Sequence, residues 1–153
     1  MIAIEDQETA LKALFESLEG LTRCFVDRPA ALQTRDLPAV VLEPRDGAYD
    51  QTTGGANSLT VRRQWVASLF ALEASEGREA QAEQAIKPFL TAIPLLLATH
   101  PRIELDDGTE FRIALDNGRD TGPGELPYGG KYGGAQFFFF TVIEDLVDPE
   151  DEF

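Results

Sequence analysis

Four consecutive phenylalanines, Phe137 to Phe140, sit in the run Ala135-Gln136-Phe137-Phe138-Phe139-Phe140-Thr141-Val142-Ile143 and constrain the chain more than any other feature. The aromatic and β-branched composition reads as a strand. Successive strand residues point to opposite faces of a sheet, so two of the rings go each way and both faces need cover. The helices of a chain of 153 residues can cover one face. What covers the other face bears on function.

That length favours one domain with a hydrophobic core that needs no disulfide or metal to hold it. Cys24 is the lone cysteine, so no intramolecular disulfide can form, which fits a cytosolic history. Met1-Ile2-Ala3-Ile4 is followed at once by Glu5-Asp6, which is not a signal-peptide pattern. The longest apolar run, near Ile93 to Ala98, is too short to span a bilayer. The formal net charge of −14 should repel nucleic acid and anionic membranes. Glu144, Asp145, Asp148, Glu150, Asp151 and Glu152 follow Lys131 with no further base. Residues 147–153 read as an acidic tail after a domain over 1–146. They serve either solubility or a surface that does not hold a polyanion.

In chain order, Ala10, Leu11, Leu14, Phe15 and Leu18 mark one face of a helix over Glu5–Leu18, with acids in its first turn and Gly20 just past its end. Leu21 to Val26 reads as a short strand, and Leu37 to Pro44 as another bracketed by prolines. Arg45 to Ser58, including Tyr49, reads as a long loop. Leu59 to Leu72 is a long strand, solvated at its first half and buried at its second. The spacing predicts a second helix over Arg78–Thr99, bent or broken by Pro88 and Pro94. Arg102–Leu105 and Thr109–Leu115 form a hairpin about Asp106-Asp107-Gly108, Asp116–Gly134 is a glycine-rich loop, and the phenylalanine strand closes the chain. With nearest-neighbour antiparallel pairing this gives a single-domain α+β fold, two main helices on one face of a mostly antiparallel sheet.

Chemistry is thin. His100 and Cys24 are the only residues of their kinds, which disfavours a structural zinc site. His100 before Pro101 reads as a helix C-terminal cap partner, and Cys24 as a small buried thiol rather than half of a nucleophile pair. Asp106-Asp107-Gly108 reads as a turn rather than a glycosidase dyad, and Asp116 to Asp120 lacks the spacing of an EF-hand loop. The run Gly129-Gly130-Lys131-Tyr132-Gly133-Gly134 leads into a strand, so it cannot act as a P-loop, which needs a helix N-terminus. Tyr128 and Tyr132 on a flexible loop suit a protein contact better than base stacking in so acidic a chain. No catalytic residue, metal site or cofactor is expected, and self-association or docking is the activity best supported.

The layout resembles the tail terminator (tail completion, minor tail) proteins of long-tailed bacteriophages. The likeness lies in the acidic first helix, Leu37-Pro38-Ala39-Val40-Val41-Leu42-Glu43-Pro44, the long loop, the strand Val61-Arg62-Arg63-Gln64-Trp65-Val66, the helix ending at His100-Pro101, and the Gly/Tyr loop before a hydrophobic last strand. The resemblance implies a non-enzymatic virion subunit, assembled in the host cytoplasm into a ring, usually a hexamer. It would cap the tail tube and face the head-completion or connector proteins, with DNA passing through the lumen without specific binding. The interface residues expected are Arg62, Arg63, Tyr49, Tyr128, Tyr132, Phe137 and Phe139, with Arg62 and Arg63 either bridging subunits or marking a solvated strand end. A head-completion or neck adaptor, and a small-ligand-binding α+β domain, are the alternatives.

Overall fold

The computed structural model describes residues 1–52, 57–75 and 77–146. Among these, helix α1 (Ile4–Glu16) buries Gln7, Leu11, Leu14 and Phe15 and carries Glu5 and Asp6 in its first turn. The two acids face the positive end of the helix dipole, which has no side-chain cap to satisfy it. The chain leaves α1 through Ser17, and Gly20 takes a φ of 91°, a left-handed conformation that costs glycine nothing. Strands β1 (Arg23–Phe25), β2 (Ala39–Thr52) and β3 (Ser58–Glu73) follow, then helix α2 (Glu79–Ala98). Strands β4 (Arg102–Glu104), β5 (Glu110–Asp120), β6 (Gly124–Pro127) and β7 (Lys131–Leu146) complete the described elements.

The strands form one seven-stranded sheet in the order β1-β2-β3-β7-β5-β4, with β6 also paired to β7. The phenylalanine strand β7 is therefore central and is flanked by β3 on one side and by β5 and β6 on the other. Both helices lie on one face. Leu11, Phe15, Ile86, Phe89, Ile93 and Leu97 pack there against Val40, Leu42, Trp65, Ala67, Phe137 and Phe139, among others. The chain is a single α+β domain, as its pattern of elements predicts.

Four local expectations are corrected. First, β1 pairs parallel to β2, through Cys24 opposite Val40, whereas nearest-neighbour antiparallel pairing was expected. The intervening segment places Leu32 and Leu37 in a cluster on the sheet face away from the helices, so the chain crosses over and re-enters in the same direction. Second, the stretch after Pro44 is mostly strand, not loop. Gly47 to Thr52 pair with Arg63 to Ser58, after an irregularity at Arg45 and Asp46 that resets the register. The Gly54-Gly55 pair lies outside the described residues.

Third, of the two alternatives of a bent helix or a broken one, the break is excluded, because α2 is one continuous helix with Pro88 and Pro94 inside it. Each interior proline costs about 3 kcal/mol. Burying Ile86, Phe89, Ile93 and Leu97 returns about 1.5–3 kcal/mol per side chain, enough to hold the helix together. Fourth, the glycine-rich stretch is not a loop, because β5 runs to Asp120, β6 follows at Gly124, and β7 begins at Lys131. Its glycines serve two ends: Gly122 and Gly129 take φ values of 70° and 69° at turns, whereas Gly133 and Gly134 answer to close packing. A Cβ on Gly134 would lie 1.9 Å from the Leu69 carbonyl oxygen, and one on Gly133 would lie 2.7 Å from Ala82 Cβ of α2.

A buried polar chain ties α1 to the centre of the sheet. Trp65 Nε1 donates to Thr141 Oγ1 at 2.8 Å, and Thr141 Oγ1 donates to Gln7 Oε1 at 2.8 Å. All three side chains are buried, and each polar atom in the chain has its partner, the condition under which buried polar groups are tolerated. Thr141→Val keeps the shape but strands the indole N–H and the Gln7 oxygen. We expect a loss of about 1–3 kcal/mol in the urea-unfolding free energy. Ile143→Val on the same face should lose only about 0.5–1.5 kcal/mol.

Candidate protein interface

The alternation along β7 assigns each phenylalanine a face. Phe137 and Phe139 point to the helices, where Phe139 meets Phe15 at a ring-centroid distance of 6.2 Å. Phe138 and Phe140 point to the outer face, which neither helix covers. They remain half-buried rather than exposed because arginines lie on them.

Two devices cover the outer face. Toward the β1 and β6 end, Leu32, Val41, Phe70, Tyr128 and Tyr132 form a second small apolar cluster. Phe70 takes both tyrosines edge-on, at 5.3 and 5.7 Å. The Tyr132 hydroxyl donates to the Leu32 carbonyl at 3.3 Å, and the Tyr128 hydroxyl donates to the Pro29 carbonyl. Elsewhere the cover is guanidinium. Arg23 lies 4.7 Å from the Phe25 ring centroid, Arg28 lies 4.6 Å from Tyr128, Arg62 4.1 Å from Phe140, and Arg119 4.1 Å from Phe138. A guanidinium at this distance is attracted to the ring face and covers the ring while its N–H donors remain available to acceptors.

The irregularity in β5 builds the last two stacks. Pairing with β7 runs regularly to Ala114 opposite Phe140 and resumes at Arg119 opposite Phe138. The four intervening residues leave the ladder, with Asn117 at a φ of 61°, a conformation asparagine reaches more readily than most. Gly118 passes so close to β7 that a Cβ would sit 2.8 Å from the Leu115 carbonyl oxygen and 3.1 Å from that of Phe138. This excursion places Arg119 over Phe138 and offers the Asp116 carbonyl to Arg62 Nη2 at 2.9 Å.

Arg62 also belongs to a cross-strand row, Arg102–Arg112–Val142–Arg62, spanning four adjacent strands. Arg102 and Arg112 each have a carboxylate at 3.7 Å, Glu110 and Glu144 respectively, in exposed pairs of little energetic consequence. The row borders a groove of about 440 Å³ floored by Ala114, Leu115 and Val142. A second groove, about 550 Å³, runs between the start of α2 and the β6–β7 hairpin. It mixes Arg78 and Lys131 with Glu79, Glu83 and Glu125, so no one charge sign dominates it.

The residues expected at an interface are thus dispersed. Phe137 and Phe139 lie in the chain's own core, and the alternation instead presents Phe138 and Phe140 outward. Tyr128 and Tyr132, expected on a flexible loop, are only 6% and 7% exposed and are engaged by Phe70 and two backbone carbonyls. Arg62 and Arg63 point to opposite faces. Arg63 donates to the Arg45 carbonyl at 2.9 Å on the helix side, facing a hollow lined by Met1, Gln7 and Tyr49. Tyr49 is 70% exposed at the far part of the β2–β3 arm. Arg119 escaped the sequence reading altogether. Its role depends on the β5 excursion, for which Asn117-Gly118 is the one visible sign.

His100 Nδ1 lies 2.8 Å from the Leu96 carbonyl oxygen at the end of α2, as a cap partner should. Asp107 accepts from the Thr109 backbone N–H at 2.9 Å within the β4–β5 turn. Burial pushes the Cys24 thiol up to about 12, with Glu16 adding and Lys12 subtracting. No family model matches the chain, and no curated protein matches it significantly.

Two tests follow from these placements. Phe139→Asp puts a carboxylate into the core beside Phe15 and should abolish cooperative thermal unfolding. Phe138→Asp should keep the native circular dichroism and a cooperative transition, because it forfeits a half-exposed stack worth about 0.5–1 kcal/mol. Cys24 stays protonated in the fold but ionises near 8.5 once unfolded. At pH 8 it should therefore resist a disulfide reagent until denaturant is added. Its stabilising contribution, whole below about pH 8.5, should fall by about 1.4 kcal/mol per pH unit up to about 12.

Proposed function

We propose that the protein is a non-enzymatic structural subunit that works by assembling with copies of itself, as a ring at the tail–neck junction of a long-tailed bacteriophage virion. The observation that carries the assembly part of this reading is the outer sheet face. Half of it is closed by the subunit's own second cluster, and half consists of Phe138 and Phe140 under arginines. Large aromatic area beneath guanidinium groups is the composition found at the centres of protein interfaces. The edge of β2 beyond Val41 has no partner strand among the described residues, so a neighbour's backbone could extend the sheet there. The identity of the assembly rests on the resemblance in layout. In such a ring the net charge of −14 would let DNA pass through the lumen without sticking.

The partners in this reading are other copies, the tail tube protein and a head-completion or connector protein. A neck adaptor of similar fold is the nearest alternative, and gene order separates the two, since a terminator is expected just before the major tail protein gene. The groove between α2 and the β6–β7 hairpin is what favours a small-ligand domain, although its mixed charges converge on no one ligand chemistry.

Light scattering with negative-stain imaging of the purified protein, alone and mixed with tail tubes, tests the reading. Closed rings or capped tube ends are expected. A compact monomer under every condition, tubes included, would remove it.

A further inference from the structure

Four arginines place their guanidinium carbons 4.1–4.7 Å from outer-face aromatic ring centroids among the described residues, and their charges are not answered alike. Arg23 has Asp36 at 3.4 Å and Arg28 has Glu43 at 3.0 Å, so those two stacks are closed by carboxylates of the same chain. Arg62 and Arg119 have no carboxylate within ion-pair distance among the described residues. In a chain with 27 acidic side chains, two stacked guanidiniums without one are unexpected. Both sit over rings two residues apart on one face of β7, about 7 Å along the strand.

We infer that these two stacks receive the acidic segment 147–153 of a neighbouring copy of the chain. The inference rests on the self-assembly reading above. The segment reads Val147-Asp148-Pro149-Glu150-Asp151-Glu152-Phe153. In an extended conformation, Asp148, Glu150 and Glu152 fall on one side at the same two-residue repeat as Phe138 and Phe140. Carboxylate to guanidinium is a charge-assisted pairing with a fixed planar geometry, and a stacked arginine is already oriented for it. Pro149 fits an extended backbone and supplies no N–H for a helix. Phe153 gives the segment an aromatic end suited to the apolar floor at Ala114, Leu115 and Val142 beside Arg62.

Reach separates the chain's own segment from a neighbour's at Arg119, though not at Arg62, whose ring Phe140 lies six residues, or about 20 Å, before Leu146. The last described strand residue is Leu146, eight residues beyond Phe138, or about 27 Å along β7. Seven residues span at most about 25 Å even when fully extended, before any are used to reverse direction. The segment therefore cannot return to Arg119 of its own subunit. It would also have to pass Glu144, which repels it. A second copy has neither restriction.

The experiment uses the whole chain with its acidic segment neutralised, D148N/E150Q/D151N/E152Q, as acceptor. The probe is a fluorescent peptide of sequence Val-Asp-Pro-Glu-Asp-Glu-Phe. Anisotropy at low salt should show saturable binding, weakened at least tenfold by Arg62→Glu or Arg119→Glu and largely lost at high salt. Arg62→Gln and Arg119→Gln, checked by circular dichroism, guard against a folding artefact and should also weaken binding. Absence of saturable binding, or binding indifferent to all four substitutions, overturns the inference. Imaging the neutralised chain keeps the two readings apart. Undiminished rings without peptide binding defeat the docking of this segment and leave the ring. Peptide binding at Arg62 and Arg119 without rings from any form of the protein defeats the ring and leaves the docking site.

Discussion

The pairing of β3 with β7 is the constraint on which the rest of this structure depends. Trp65 lies opposite Phe139, Ala67 opposite Phe137, and Val66 opposite Phe138. A slip of one residue would turn one strand over relative to the other, sending Phe138 and Phe140 under the helices beside Trp65, or Trp65 to the outer face beside them. Several things fix the register. Trp65 reaches Thr141, which reaches Gln7 of α1, so the first helix locks onto the two central strands at a single alignment. Gly134 opposite Phe70 admits the backbone of β3 so closely that no side chain would fit there. Each of these is satisfied at one register and violated at its neighbours.

Once the faces are fixed, cover for the second one is the remaining problem, and the chain solves it in two ways. Near β1 and β6 it spends its own residues, folding the crossover segment and two tyrosines over Phe70. Over Phe138 and Phe140 it uses arginines, which shield a ring without making the surface apolar. The first solution is dry and finished. The second leaves a surface that combines aromatic area with guanidinium hydrogen-bond donors. The β5 excursion at Leu115–Gly118 makes the difference, since an unbroken ladder would carry neither Arg119 nor the Asp116 carbonyl to these positions.

Much of the fold was legible because it rests on periodicity. The first helix, the long strand about Trp65, the β4–β5 turn and the central phenylalanine strand all follow from apolar spacing that tertiary packing reinforces. The misreadings share a cause. Gly, Tyr and Asp between Arg45 and Ser58, and the glycines before Tyr132, signal loops when neighbours are ignored. Paired to β3 and β7, Gly47 to Thr52 and Gly124 serve as strand, whereas Gly122 and Gly129 do form turns, and close approach is confined to Gly118, Gly133 and Gly134. The break considered at Pro88 and Pro94 weighed their local cost alone, although four buried apolar side chains on the same helix outweigh it. For the candidate site, the sequence shows that both faces of β7 need cover, but not which phenylalanine meets which face. Face assignment needs the register, and the register is a property of strands far apart in the chain.

The central strand of the sheet is also the last of the seven to appear along the chain. As the polypeptide emerges from the ribosome, β1, β2 and β3 can pair among themselves, and β4 with β5, but the two groups share no ladder until β7 arrives to join them. The inner sides of β3 and β5 therefore wait as open edges through most of synthesis, and Trp65 waits for its hydrogen-bond acceptor. Completion of this sheet is then a nearly all-or-none event, because the strand that joins its halves is made after both of them. Premature stops or slow codons just upstream of Lys131 would leave two half-sheets with sticky edges in place of a nearly finished domain.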